Sequence, residues 1–191
     1  MDINSSYSHS SLAIPALHAQ LEEGIESRHK WRVISGTQKK EISYYTDEIE
    51  KFRPDYIFST LWLFNHKFII NLLEKAKKSF PEVTIVLGGP EFLGNNCEFL
   101  KKERFVDAVF RGEGEGIYPQ FIEKCDIKGE WGSLEGFCYL DKNGEYKDNG
   151  YAIAEGFSTL TPPENSRLFI LDKPFRSEER RVGKECRARW S

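Results

Sequence analysis

The sequence predicts an α/β protein in which a parallel sheet is covered by helices on both faces. Runs rich in β-branched and aromatic residues alternate along the chain with segments of helical periodicity, as a parallel sheet requires. The run VTIVLGG at 83–89 is almost continuously apolar, which is typical of a strand buried on both faces. The predicted architecture is a flavodoxin-like, Rossmann-like sheet of five parallel strands, followed by a carboxyl-terminal β-hairpin that serves as a linker.

The first half of the chain contains two predicted strands and two predicted helices. Apolar residues recur every three or four positions in the helical segments, whereas the strand segments are short and apolar. Pro54 ends the second helical pattern, because proline disrupts a helix interior. In chain order these elements are a short strand at 1–4, an amphipathic helix at 12–23, a strand at 31–35 and a helix at 41–52.

The second half continues this alternation of strands and helices until about residue 126, and β-rich runs follow after that point. Its clearest helix begins at Asn65, a favoured N-cap residue, and carries lysines in its last turns. Further on, Asn143-Gly144 stands between two β-rich runs and predicts a hairpin at 135–153. The other predicted elements are strands at 55–61, 83–89 and 105–110 and helices at 65–80, 95–103 and 116–125.

Composition restricts the possible partners. The chain has 191 residues, of which 39% are hydrophobic, and a formal net charge of −3. No apolar run approaches the roughly 20 residues that span a bilayer, and the start MDINSS does not resemble a signal peptide. The four cysteines are scattered without a C-x-x-C pair, which argues against a zinc site or a disulfide framework. We therefore expect a cytoplasmic protein with neither nucleic-acid nor membrane partners.

The last sixteen residues, RSEERRVGKECRARWS at 176–191, differ sharply from the rest. Six basic residues against three glutamates give this segment a charge of +3, so the preceding 175 residues carry −6. A genuine basic tail is one interpretation, because such tails can bind nucleic acid. The string also closely resembles the conceptual translation of a sequencing adapter, and we interpret it as an assembly artefact. The natural reading frame is then expected to continue past Phe175.

Ligands of open α/β sheets bind outside the carboxyl ends of the strands. The loops expected at those ends are rich in Gly, Ser, Asn or Glu and span 4–11, 59–65, 88–95 and 111–116. Within them, Gly88-Gly89 ends a buried strand, where the missing side chains allow a bulky planar ligand to approach the backbone. The sequence therefore predicts a binding face formed by these loops.

Several other functional classes lack their motifs. The chain contains no G-x-x-x-x-G-K-[ST] phosphate loop, and RGEGEG is not the G-x-G-x-x-G of a dinucleotide-binding fold. Asp2 alone does not supply the paired acidic residues of a response regulator, and no G-x-S-x-G indicates a hydrolase. A stand-alone α/β module that binds a nucleotide or a protein partner, with a regulatory role, stays open as an alternative.

Four segments together resemble the amino-terminal cobalamin-binding domain of cobalamin-dependent radical S-adenosylmethionine (SAM) proteins. They are INSSYSHSSLAIPAL at 3–17, Ser59-Thr60-Leu61, VLGGPEFLGNN at 86–96 and FVDAVFRGEGE at 105–115. The resemblance covers roughly residues 1–175. It implies a cobalamin-binding domain at 1–126 and a hairpin and linker toward a radical SAM domain at 127–175, and it leaves out the foreign tail at 176–191.

The resemblance also implies which residues contact cobalamin. Ser59, Gly88 and Gly89 would approach the corrin ring and its nucleotide tail, while the turn at 112–115 would close over the far edge. The full predicted cofactor-binding set is Tyr7, His9, Ser59, Thr60, Leu61, Gly88, Gly89, Pro90, Glu91, Gly112, Glu113, Gly114 and Glu115.

His9 is the candidate cobalt ligand in this set. Many cobalamin domains carry D-x-H-x-x-G after the first strand, and the matching stretch here reads Tyr7-Ser8-His9-Ser10-Ser11-Leu12. The histidine is in register, but the aspartate and the glycine are absent, and a ligating histidine usually needs a carboxylate that fixes its tautomer. Radical SAM relatives often bind cobalamin without a histidine ligand. We therefore favour a loop or helix-cap role for His9, with cobalt ligation as the alternative.

The C-x-x-x-C-x-x-C motif that holds the [4Fe–4S] cluster of radical SAM proteins is absent from the sequence. The resemblance thus implies that these residues bind and orient cobalamin without catalysing a reaction themselves. SAM and the cluster would belong to a radical SAM domain outside these residues, which would be their partner. The parent enzyme is expected to be methyltransferase-like.

Overall fold

The computed structural model of the chain describes residues 1–5, 12–124, 128–154, 156 and 159–169. The strands are β1 (Asp2–Asn4), β2 (Ser35–Thr37), β3 (Tyr56–Thr60), β4 (Thr84–Gly88), β5 (Ala108–Phe110), β6 (Phe137–Leu140) and β7 (Tyr146–Asp148). The α-helices are α1 (Ala13–Ala19), α2 (Glu23–Glu26), α3 (Ile42–Phe52), α4 (His66–Ser79), α5 (Cys97–Lys102) and α6 (Tyr118–Lys124). Short 3₁₀ helices lie at Pro90–Phe92, Lys128–Ser133 and Pro163–Asn165.

The predicted α/β class is confirmed, but the single five-stranded parallel sheet is wrong. The described strands form a two-stranded parallel sheet, β1-β2, and a five-stranded sheet in the order β3-β4-β5-β6-β7. In the larger sheet β3, β4 and β5 are parallel, β6 runs antiparallel to β5, and β7 runs antiparallel to β6. The sheet is mixed because the hairpin pairs with the free edge of β5 instead of forming a separate appendage.

The second strand also begins later than the sequence predicts. The segment 31–34 lies outside β2, whose register pairs Asp2 with Ser35 and Asn4 with Thr37. Because β1 begins at Asp2, the two-stranded ladder does not extend back over the earlier residues. Trp31 instead donates its indole N–H to the Glu26 carbonyl oxygen at 3.1 Å. The run at 31–34, which the sequence predicts as part of a strand, therefore contacts α2 through Trp31.

The small sheet lies beside the larger one at the end of β3. The Met1 amino group donates a hydrogen bond to the Phe58 carbonyl oxygen. The Asn65 side chain, 2% exposed, donates to the Ile3 carbonyl oxygen at 3.0 Å and to the Thr60 carbonyl oxygen at 3.2 Å. It also accepts a bond from the Trp62 N–H at 2.8 Å. The predicted N-cap role is corrected, since Asn65 makes no capping side-chain bond to α4 and links β1 to the β3 loop instead.

The core has two parts, one on each face of the larger sheet. Side chains alternate along β4, so Ile85 and Leu87 face one cluster and Val86 faces the other. Helices α3, α4 and α5 contribute to the first cluster, and α6 with the aromatic residues of β6 and the Lys128–Ser133 helix contributes to the second. This arrangement leaves the carboxyl ends of β3, β4 and β5 accessible between the two layers.

The predicted hairpin is confirmed. Gly144 adopts a φ of 78° in the turn between β6 and β7, as an Asn-Gly turn allows. The Asp141 carboxylate stabilises the turn by accepting bonds from the N–H groups of Asn143 and Glu145, both at 2.9 Å. Within the described part of the chain, the helices are too short or too polar to cross a membrane.

Candidate functional site

A groove opens at the carboxyl ends of β3, β4 and β5, where the sequence predicts the binding face. Its volume is about 400 Å³, which lies in the range of small-ligand sites. Helix α1 forms one side through Ala13, Ile14 and Leu17. The predicted residues that line this strand-end groove are Ser59, Thr60, Gly88, Gly89, Pro90, Gly112, Glu113, Gly114 and Glu115. Three separate loops thus surround one space.

The two glycines at the end of β4 differ in their surroundings. Gly89 has a φ of 111°, and a Cβ added there would lie 2.6 Å from the Leu61 carbonyl oxygen. Glycine is therefore required at this position to turn the chain. A Cβ added to Gly88 would meet no described atom within 4 Å. The missing side chain of Gly88 leaves open space in the groove, where a ligand can approach the backbone.

The end of β3 adjoins these glycines. The Leu61 N–H donates to the Gly88 carbonyl oxygen at 2.7 Å, which joins the two strand ends. The Ser59 hydroxyl is buried and donates to the Met1 carbonyl oxygen at 3.4 Å. The Leu61 side chain is fully buried in the cluster that contains Ile57, because residues four apart on a strand share a face. Leu61 belongs to the predicted cofactor-binding set, but its side chain packs the core behind the groove and is not among the described residues that line it.

The 111–116 loop forms the opposite wall and is held by the chain that follows β7. Gly112 has a φ of 110°, and a Cβ there would lie 2.2 Å from the Ala152 carbonyl oxygen. The Glu113 N–H donates to the same oxygen at 2.9 Å. The Glu113 carboxylate accepts a bond from the Ala154 N–H at 2.8 Å. The Glu113 side chain thus fixes the turn to residues 152–154, a role that the sequence does not predict.

The floor of the groove is aromatic, which the sequence motifs did not reveal. Phe121 of α6 stacks on Phe137 of β6 with ring centroids 5.1 Å apart and meets Phe58 of β3 edge-on at 5.5 Å. Phe110 and Tyr118 also line the floor. Because these rings come from four different elements, no local motif contains them. The only local signal was the alternation of aromatic residues along β3.

Residues 159–169, which we call the return segment, bind to helix α1 and hold it at the side of the groove. The Gln20 side chain donates to the Thr161 carbonyl oxygen at 2.9 Å and accepts from the Thr161 N–H at 3.0 Å. The Ser166 hydroxyl lies 2.9 Å from Nδ1 of His18, which α1 carries. The part of the chain after the hairpin therefore packs back onto a helix that lines the groove.

His18 is the buried ionisable group at this contact. Its side chain is 4% exposed, its Nε2 lies 3.2 Å from the Glu26 carboxylate, and its ring meets Trp31 edge-on at 5.0 Å. Arg167 of the return segment also pairs with Glu26. Burial lowers the pKa of His18 below its ordinary value, Glu26 opposes this shift and Arg167 adds to it. The folded chain therefore favours neutral His18.

We expect the chain to lose stability as the pH falls from about 7.5 to 5 and His18→Gln to reduce this loss. Because the folded pKa of His18 is lowered, the unfolded chain binds the proton first, and the contribution present above about pH 6.5 is lost below it. Melting temperatures of both proteins across this range measure the effect. Thr46→Ala removes a hydroxyl of α3 that is bonded to the Ser43 carbonyl oxygen, leaves the contacts of His18 intact and should retain the slope. An unchanged slope in His18→Gln would contradict the assignment.

The remaining predicted site residues are Glu91, Tyr7 and His9. Glu91 is absent from the described lining of the groove, and its carboxylate lies 3.5 Å from Nδ1 of His66. Tyr7 and His9 lie outside the described residues, so the cobalt-ligand alternative for His9 stays a prediction. No group of three or more His, Cys, Asp or Glu side chains suited to a metal ion occurs among the described residues.

A second cavity of about 540 Å³ lies between α1 and the segments 28–34 and 52–58. It is larger than the strand-end groove, and the two share the lining residues Met1, Ile14, Leu17, Phe58 and Tyr118. Its position near the amino end of β3 is not where α/β sheets usually bind ligands. The strand-end groove, with its exposed backbone at Gly88, is therefore the stronger candidate.

Comparison with protein families gives one match that covers most of the groove. A model of the B12 binding domain matches residues 2–122. The chain is 31% identical over 104 residues to hopanoid C-3 methylase of Methylococcus capsulatus, an alignment that covers 51% of this chain and 19% of that protein. It is 26% identical over 69 residues to the cobalamin-dependent radical SAM methyltransferase TokK of Streptomyces tokunonensis, covering 36% of this chain and 10% of that protein.

Solved structures share the fold. The cobalamin-dependent SAM radical enzyme OxsB, with aqua-cobalamin and SAM bound, superposes with a TM-score of 0.63 at 16% identity, covering 80% of this chain and 22% of that one. The radical SAM methyltransferase TsrM of Kitasatospora setae, with cobalamin and a [4Fe–4S] cluster bound, gives a TM-score of 0.55 at 13% identity, covering 84% and 30%. The chain thus spans less than a third of the length of these proteins and about a fifth of the hopanoid methylase.

Proposed function

The chain belongs to the B12-binding domain family, and on this premise we propose that its strand-end groove binds cobalamin and orients it for a radical SAM domain of the same enzyme. The observation that carries the proposal is the open space at Gly88. It lies at the carboxyl end of a central strand, where a ligand can contact the backbone directly. The family match over residues 2–122, which include the three loops around the groove, and the groove geometry both support this proposal.

The dimensions of the groove fit part of the cofactor. A volume of about 400 Å³ accommodates a slender group such as the nucleotide tail of cobalamin, whereas the corrin ring is too broad and would lie across the mouth. The aromatic floor suits the aromatic base at the end of that tail. We propose that Ser59, Thr60 and Gly88 contact the tail on one side and that the turn at 112–115 closes over the other.

Cobalamin, when bound, supplies the cobalt-centred chemistry that amino-acid side chains lack. The residues of this chain would bind and orient it. Because the relatives are named as a methylase and a methyltransferase, we propose a methyltransferase-like parent enzyme with SAM and a [4Fe–4S] cluster in its radical SAM domain. We also propose a domain boundary at residue 126. The same proposal includes a cytoplasmic location, without nucleic-acid or membrane partners.

Titration of the chain with hydroxocobalamin tests the proposed function. We expect a change in the visible absorbance of the cofactor and about one equivalent retained after desalting, as a built site predicts. Circular dichroism must show that the protein is folded in the same buffer. If folded protein retains no cobalamin, the proposal is wrong. Retention of a flavin or another nucleotide in place of cobalamin would favour the alternative of a nucleotide-binding regulatory module.

A further inference from the structure

Arg111 occupies a central place behind one wall of the groove. It directly follows β5, and its side chain is only 14% exposed. Its Nε and Nη2 donate to the Gly150 carbonyl oxygen at 2.9 and 2.7 Å, and Nη2 also pairs with the Asp148 carboxylate. Its Nη1 donates to the Gly94 carbonyl oxygen at 3.1 Å. One guanidinium thus joins the 111–116 loop, the end of β7 and the 88–96 loop, which runs from the last residue of β4 to the residue before α5.

The contacts of Arg111 form part of a closed ring of hydrogen bonds. The Asp148 carboxylate also accepts a bond from the Tyr146 hydroxyl at 3.2 Å, and this hydroxyl accepts a bond from the Asn96 N–H at 3.3 Å. Burial raises the pKa of Tyr146, so the hydroxyl keeps its proton and can donate. The ring leaves the 88–96 loop at Gly94 and returns to it at Asn96. The hairpin therefore contacts this loop directly through Tyr146 and indirectly through Arg111, which bonds both Gly94 and Asp148.

The two loops that Arg111 joins are opposite walls of the strand-end groove. The 88–96 loop supplies Gly88, Gly89 and Pro90, and the 111–116 loop supplies the turn that begins at Gly112. Arg111 is not itself among the described residues that line the groove. Its donors are committed to carbonyl oxygens and to Asp148, so a direct contact with a ligand is not its main role.

We infer that Arg111 is a positioning residue for cofactor binding, which fixes the spacing of the two groove walls by tying both to the hairpin. The inference rests on the proposed function, because it concerns the affinity of the same groove. A planar fork with five N–H donors can serve three separate acceptors at once. A lysine ammonium carries the same charge but cannot reproduce the fork. The proposed role of Arg111 therefore requires the shape of the guanidinium group as well as its positive charge.

Arg111→Lys separates positioning from charge. We expect the variant to stay folded and to bind hydroxocobalamin roughly 10- to 100-fold more weakly, because binding then has to order the groove walls. Amide hydrogen exchange without cofactor should be about tenfold faster at Glu113 and Ala154, whose N–H groups hold the turn. The matched control is Arg32→Lys, which alters an exposed ion pair with Glu48 and should change neither quantity.

The outcomes distinguish this inference from the proposed function. If the unaltered chain binds hydroxocobalamin and Arg111→Lys binds it equally well, the positioning role is overturned and the proposed function stands. If the unaltered chain binds none, both are overturned. Should Arg111→Lys fail to fold, Asp148→Asn retains an acceptor but removes the charge, and it should show the same two changes at smaller size. Unchanged affinity and exchange in that variant would overturn the inference.

Discussion

Gly88→Phe is expected to abolish measurable cobalamin binding while leaving the chain folded. A Cβ at this position meets no described atom within 4 Å, so the new side chain has space but occupies the groove. Gly88 also lacks the positive φ of Gly89, and aromatic residues favour strand geometry. We expect a loss of affinity of at least about 100-fold, because a ring in the groove clashes with any occupant. Titration with hydroxocobalamin and thermal melting measure the two effects.

Gly24→Phe is the matched control for this variant. Gly24 is exposed, has open space around its added Cβ and no positive φ, and lies outside the described lining of both cavities. The control should therefore bind cobalamin as the unaltered chain does. Equal binding by Gly88→Phe and the unaltered chain would place the cofactor elsewhere, with the second cavity beside the 28–34 segment as the next candidate.

The sequence predicts features that depend on local patterns. Strand–helix alternation, the Asn143-Gly144 hairpin and the loops around Gly88 and Gly112 follow from periodicity, turn chemistry and the position of ligands in α/β sheets. The groove could be located because its walls are loops that follow strands. The relevant information lies within a few residues of each motif, so no long-range contact has to be known.

The features that the sequence missed depend on contacts between distant segments. The pairing of β6 with β5 makes the sheet mixed, and this edge contact has no local signature. The aromatic floor is assembled from four elements, and Arg111 reaches Gly94 and Gly150 across 17 and 39 positions. The return segment likewise contacts α1 from the far end of the described chain. A resemblance can transfer motif residues, but it does not reveal the side chains that support them from behind.

Asn65→Asp is expected to destabilise the chain by about 3–5 kcal/mol, the cost of leaving a charge uncompensated in a buried site. The Asn65 amide nitrogen donates to the carbonyl oxygens of Ile3 and Thr60, and its oxygen accepts from the Trp62 N–H. Aspartate retains the acceptor but places a carboxylate oxygen against two carbonyl oxygens. Urea unfolding at neutral pH measures the change in the free energy of unfolding.

Asn95→Asp makes the same chemical change where only an acceptor is needed. The exposed Asn95 side chain accepts a bond from the Cys97 N–H at 2.9 Å, at the start of α5, and a carboxylate is favourable near a helix N-terminus. We expect this control to change stability by less than about 0.5 kcal/mol. Equal effects of the two substitutions would show that the β1–β3 junction admits water and is not held by the amide. A large difference would establish that the buried Asn65 amide holds β1 against the end of β3, beside the groove.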